Sequence, residues 1–265
     1  MKKVIRIIFW CLFGISTVLL LSFSSDFQRK QIMSQPTIYL EIQDGIALMT
    51  EEELLQKLKT ANLYHNKIKK EDLDISAIEN FIANLNEVEK VEVFSELGEK
   101  WFIKTTIKRP VARILKNNGN GFYIDSNGKL MKLTPGVKPR ILTFTGVENI
   151  KDSDLNYSKL INNDSLITKN RLSDIYRISS YVCNDAFYDA QIVQVHFTNE
   201  DGFILIPRVG KHEIIFGMAN SDEVVARKFK QLTTFYEEVI PYEGWDKYKS
   251  INLKFDNQIV AKKNK

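Results

Sequence analysis

YKSINLKFDNQIVAK, from Tyr248 to Lys262, alternates apolar and polar residues over most of its length. Ile251, Leu253, Phe255, Ile259 and Ala261 fall on one side, and Asn252, Lys254, Asp256, Gln258 and Lys262 on the other. That is the period of a β-strand with one face on a core. The run follows the last helical pattern of the chain, so the fold is expected to close on a strand. A last strand commonly keeps one open edge, whose unpaired N–H and C=O groups can accept a strand from another chain. The expectation is function by binding, with no reaction at this protein.

Working back from that run, Glu223 to Val239 reads as a long helix, with Val225, Phe229, Leu232, Tyr236 and Val239 on one stripe. Glu213 to Phe216 reads as a strand, and Gln191 to Ile206 as a hairpin through Glu200-Asp201-Gly202. Asn170 to Val182 is helical, and Ile141 to Phe144 is a short strand. Phe122 to Leu133 is a hairpin turning on Asn127-Gly128, a dipeptide suited to the positive φ angles of a type I′ turn. These elements make one β-rich unit with two helices, residues 110–265.

A smaller unit, residues 37–109, reads strand, helix, helix, strand, strand. Ile38 to Ile42 alternates. Thr50 caps a helix to Lys59, with Glu53 at the capping-box position and Leu54, Leu55 and Leu58 as its stripe. Asp74 or Ser76 caps a second helix to Leu85. Val88 to Glu96 and Lys100 to Arg109 form a hairpin around Leu97-Gly98-Glu99, with Trp101, Ile103, Thr105 and Ile107 on its buried face.

Further back, Ile7 to Phe23 (IIFWCLFGISTVLLLSF) carries no charge and follows Lys2, Lys3 and Arg6. With Val4 and Ile5 it reaches the roughly 20 residues that cross a bilayer as a helix. The expected organisation is a cytoplasmic segment, residues 1–6, a transmembrane helix, 7–23, and a juxtamembrane linker, 24–36, by the positive-inside bias. A cleaved signal peptide is the alternative, since Ser22 and Ser24 offer small residues to a peptidase, and a mature N-terminus at Ser25 would distinguish it.

The formal charge of the 265 residues is +4, and Lys2, Lys3 and Arg6 supply three of it. The rest is close to neutral, so no nucleic-acid partner is expected. Cys11 and Cys183 lie on opposite sides of the membrane boundary and cannot pair, so a core drawn from 44% hydrophobic residues must hold the fold.

Chemistry finds little support. His65, His196 and His212 have no second histidine or acid at metal-ligand spacing, so no metal site is expected. Gly119-Asn120-Gly121 leads into a strand and reads as a turn, not a phosphate loop. Cys183 has no histidine partner and reads as an inert thiol. Glu51-Glu52-Glu53 belongs to a helix N-terminus, where the macrodipole favours acids. Phe235 and Tyr236 fit a core stripe, while Tyr242, Trp245 and Tyr248 fit either a core or a partner surface. No catalytic residue, cofactor or small-molecule substrate is expected.

Three segments carry a family resemblance. Asn86-Glu-Val88-Glu-Lys-Val91-Glu-Val93 resembles the entry to the second strand of a POTRA domain in the FtsQ (DivIB) cell-division family, although Glu87 stands where Pro is common. Ile107-Lys-Arg109-Pro110-Val111-Ala112 resembles the family's junction, and Phe122-Tyr-Ile124-Asp125-Ser-Asn-Gly128-Lys-Leu130 the hairpin that opens its β-domain. From Ile206 through Gly210, Phe216, Lys228-Phe229, Phe235-Tyr236 and Gly244-Trp245 to Val260, the chain looks like the Bacteroidetes form.

The resemblance implies an α+β protein with an N-terminal transmembrane helix, a POTRA-like domain and an FtsQ-type β-domain. It further implies a non-enzymatic divisome scaffold in the inner membrane, with its N-terminus cytoplasmic and its domains periplasmic, acting at the septum. Its partners would be FtsB/DivIC-like and FtsL-like proteins, one of which adds a strand to the last strand here. The partner-binding residues would be Phe255, Asn257, Gln258, Ile259, Val260, Ala261 and Lys262. An exported, membrane-anchored enzyme or ligand-binding protein is the alternative; it would show a concave pocket with convergent polar groups and a perturbed titratable residue.

Overall fold

The computed structural model describes residues 2–147 and 171–264. Met1, Asn170 and Lys265, each part of a segment read above, lie outside them. The first helix, α1 (Lys2–Arg29), is long and apolar enough to cross a membrane from Ile8 onward, and none of that span is buried in the protein. It continues through Ser24–Arg29, where the polar composition suggested a linker. Ser24, Ser25 and Gln28 do not break a helix already nucleated by the apolar run before them.

The rest of the chain divides into two compact units, Met49–Ile107 together with the chain up to Ile42, and Gln43–Leu48 with everything from Lys108 onward. In the first, β1 (Thr37–Glu41), β2 (Val88–Ser95) and β3 (Trp101–Ile107) form a sheet in the order β1-β3-β2, parallel on one side and antiparallel on the other. Its helices are α2 (Glu51–Thr60) and α3 (Ile75–Ala83). Thr50 and Glu53 make the reciprocal capping box, and the Asp74 carboxylate accepts from Ala77 N–H at 2.9 Å. Leu54, Leu58, Ile78 and Ile82 are fully buried with Trp101, Ile103 and Ile107, as the two periodicities require.

The second unit is a nine-stranded sheet in the order β12-β11-β10-β9-β8-β7-β4-β5-β6. Its strands are β4 (Pro110–Leu115), β5 (Gly121–Asp125), β6 (Leu130–Lys132), β7 (Leu142–Thr145), β8 (Ile192–Thr198), β9 (Gly202–Pro207), β10 (Glu213–Gly217), β11 (Tyr248–Asn252) and β12 (Val260–Lys263). Its described helices are α4 (Leu172–Cys183), α5 (Ala186–Gln191), α6 (Asp222–Glu238) and α7 (Ile240–Glu243). The short α5 and α7 add to the two helices that periodicity marks. One or two turns of helix carry too few positions to show a stripe.

Two local readings are corrected. The Asn127-Gly128 hairpin is not type I′, because only Gly128 has positive φ, at 75°. The Asp125 carboxylate instead accepts from Asn127 N–H at 2.9 Å and Lys129 N–H at 2.8 Å, holding a turn that ends in one left-handed glycine. More consequentially, Tyr248–Lys262 is not one strand. It folds into an antiparallel hairpin of β11 and β12, with the left-handed turn residue Asn257 at φ 58° between them. Asparagine tolerates that conformation better than most side chains, and Asp256-Asn257 is the turn signal that the alternation masked.

The open edge of the second sheet as the candidate functional site

The hairpin changes which of the expected residues share the edge. Val260, Ala261 and Lys262 lie in β12, joined by Lys263, whereas Phe255, Asn257, Gln258 and Ile259 belong to the turn and its approach. Ile251 and Leu253 are buried as read from the alternation, but Phe255 is 45% exposed because the chain has already left the sheet there. Tyr248 is buried in β11, with its ring 5.1 Å from that of Phe235, so it belongs to the core and not to a partner surface. Trp245 is half-buried against Tyr236 and His212, and Tyr242 is 88% exposed.

β12 ends the sheet, paired with β11 on one side and with no described strand on the other. The side on which each main-chain group points follows from one bond. Asn264 N–H donates to Lys247 O at 2.9 Å. Main-chain groups alternate sides along a strand, so Lys262 and Val260 also face β11, while Ala261 and Lys263 turn N–H and C=O outward. The register shift in this pair is the extra residue Lys249 on β11, which leaves the alternation of β12 intact.

The hairpin is clamped at both ends. At the turn, Lys254 pairs with Asp201 at 2.7 Å, Arg227 with Asp256 at 2.7 Å, and Leu253 N–H donates to Ile215 O at 2.9 Å. At the far end, Lys263 pairs with Glu243 at 3.1 Å, and the Asn264 amide donates to Asp246 O at 2.7 Å. Exposed ion pairs add little each, so the position of the strand rests chiefly on its pairing with β11 and on the backbone bonds at the two ends. The opposite end strand, β6, has Leu130 and Met131 buried, whereas Val260 of β12 is 47% exposed beside its open edge.

The features that would favour chemistry are present only in part. A cleft of about 1120 Å³ in the second unit is lined by Asp44, Arg109, Lys138, Arg140, Cys183 and Asp189 among others. Arg109 Nε and the Asp44 carboxylate lie 2.5 Å apart and neutralise each other. Burial pushes the Cys183 thiol up, away from the thiolate that nucleophilic work needs. His65 and His196 are exposed, and His196 Nδ1 lies 2.9 Å from Thr145 Oγ1. His212 is buried and bonded through Nε2 to Tyr236 O–H at 2.9 Å; burial pulls its pKa down, keeping it neutral. No group of three metal-ligating side chains occurs among the described residues.

The sequence gives little reason to expect a buried ammonium on the long helix, yet the structure holds one. Lys228 on α6 is buried, and its ammonium donates to Phe216 O at 2.6 Å and Met218 O at 2.8 Å, above the Phe216 ring. Burial, with Arg227 adding to it, lowers its pKa to about 8. Its partners are backbone carbonyls at the end of β10, so it fastens α6 to the sheet. A lysine inside an otherwise apolar stripe was the only signal.

Comparison with known proteins gives one family. A model described as FtsQ/DivIB, C-terminal related, matches residues 109–262, from just before β4 to Lys262 within β12. No curated protein matches the chain.

Proposed function

The chain belongs to the FtsQ/DivIB, C-terminal related family, and on that premise we propose that it is a non-enzymatic scaffold of the division machinery that accepts a partner strand along β12. Family membership gives it a role in cell division, and its one described apolar helix, α1, fits a single-pass anchor. The remaining parts of the reading are that residues 1–6 are cytoplasmic, that the two units lie beyond the inner membrane at the septum, and that the first unit is POTRA-like. The partners are an FtsB/DivIC-like strand donor and an FtsL-like companion. The strand, helix, helix, strand, strand order of the first unit supports the POTRA-like assignment.

The observation that carries the proposal is the outward main chain of Ala261 and Lys263 on a strand already clamped in place. Backbone hydrogen bonds supply affinity in such additions, and alternate side chains such as Val260 supply selectivity. The test is Ala261→Pro. Proline removes the outward N–H and leaves the bonds of Val260 and Lys262 to β11 in place, so the fold survives while the added strand loses a rung. Binding of the FtsB/DivIC-like strand donor should fall by about tenfold or more, the effect of losing one or two charge-neutral bonds and a close fit. A folded Ala261→Pro protein that binds its partner at full strength would rule out strand addition at β12. Val260→Pro is the weaker test, because it breaks the hairpin's own ladder.

A further inference from the structure

The chain between α1 and the first sheet has almost no slack. Lys30 and Gln31 still bond back onto α1, through Lys30 N–H to Asp26 O and Gln31 N–H to Gln28 O, both at 3.3 Å. The next bonds are already to the folded unit: Lys70 N–H to Gln31 O, Met33 N–H to Ile68 O and Ser34 N–H to Glu99 O, each 2.9 Å, with Ile32 bridging Lys69. Trp101 Nε1 donates to Ser34 O at 2.8 Å, and Lys70 Nζ spans to Glu96 O at 3.2 Å. Residues 31–34 are thereby laced to the loop at 68–70 and to the β2–β3 turn. That end of the unit also carries two large aliphatic side chains facing solvent, Ile32 at 53% exposure and Leu97, at the tip of the turn, at 84%.

We propose that this end of the first unit, with Leu97 and Ile32 at its tip, rests in the headgroup layer of the same bilayer that α1 crosses. The proposal depends on the reading of α1 as an anchor. The charge-free run ends at Phe23, and the six residues to Arg29 add about 9 Å of helix. A headgroup layer is roughly 5–8 Å deep on each side of the hydrocarbon. The laced junction therefore begins at the outer edge of the headgroups, less than a side-chain length beyond that layer, and on this reading the two exposed aliphatic side chains dip back into it. Tethering supplies a high effective concentration, so a small apolar contact suffices. Charge contributes little, since Lys67, Lys69, Lys70 and Lys100 stand among Glu71, Asp72, Glu96 and Glu99. Apolar insertion dominates, and the contact withstands salt.

The full chain in lipid nanodiscs of phosphatidylethanolamine and phosphatidylglycerol provides the test. A fluorophore is placed at Leu97→Cys in a Cys11→Ala, Cys183→Ser background, and the disc contains lipids quenching at headgroup depth. Ala83→Cys is the reference. It is an exposed position next to the opposite end of β2, about 25 Å along the strand. Quenching at position 97 should exceed that at position 83 severalfold and persist in high salt. Equal quenching at the two sites overturns the proposal, as does its loss in salt. A separate label on Cys11, in Cys183→Ser protein with acyl-chain quenchers, checks the anchor. An unquenched Cys11 label defeats the anchor reading and this inference together, whereas a quenched one with equal values at 97 and 83 defeats this inference alone.

Discussion

At the residue scale, Lys228 makes a prediction about pH. In the unfolded chain it holds its proton up to about 10.5, and in the folded protein only to about 8. Between those values the unfolded state binds more protons, so the contribution of this group to stability rises with pH across that window. The full effect is about 3 kcal/mol, present as a penalty below pH 8 and relieved above pH 10.5. Denaturant midpoints followed from pH 7.5 to 10 should therefore climb more steeply for the native protein than for Lys228→Met. Parallel profiles would mean that Lys228 titrates as an ordinary surface lysine. Asn257 gives a second residue-level expectation. At φ 58° a β-branched side chain is strained, so Asn257→Val should destabilise the hairpin by about 1 kcal/mol or more, while Asn257→Gly should be close to neutral.

At the element scale, α2 depends on its cap. Thr50 Oγ1 accepts from Glu53 N–H at 3.2 Å, and Glu53 Oε2 accepts from Thr50 N–H at 2.9 Å. Thr50→Ala removes the first of these, leaves a donor of the opening turn unpaired and should cost about 1 kcal/mol in thermal unfolding. A loss well below that would show that Leu54 and Leu58, packed in the core, hold the helix start without help. The hairpin of β11 and β12 is the instructive contrast. Its strand period is plain in sequence, but alternation carries no information about where a strand doubles back. The turn residues Asp256-Asn257 are local, but the contacts around them, Lys254–Asp201 and Arg227–Asp256, join residues 53 and 29 positions apart.

At the scale of the whole molecule, none of the described residues of the apolar span of α1 is buried against the protein, and each unit has its own sheet and core. A chain from Lys30 to Lys265 should accordingly fold without α1 and melt at the same temperature as the full chain in detergent. A clearly lower midpoint would reveal packing of α1 on the first unit beyond the laced junction. The same separation explains what was legible beforehand. The apolar run of α1, the capped helices α2 and α3, the stripe of α6 and the β2–β3, β5–β6 and β8–β9 hairpins are all patterns of neighbouring residues. Propensity, capping and periodicity act over such distances, so these elements could be read from local patterns alone, together with the mixed α+β character of the chain. The order of the nine strands, the parallel pairing of β10 with β11, the removal of Tyr248 to the core and the reduction of the open edge to Val260–Lys263 were decided only by the tertiary structure. Each depends on which distant backbone comes to lie alongside, and burial of side chains far apart in sequence, not any local preference, makes that choice.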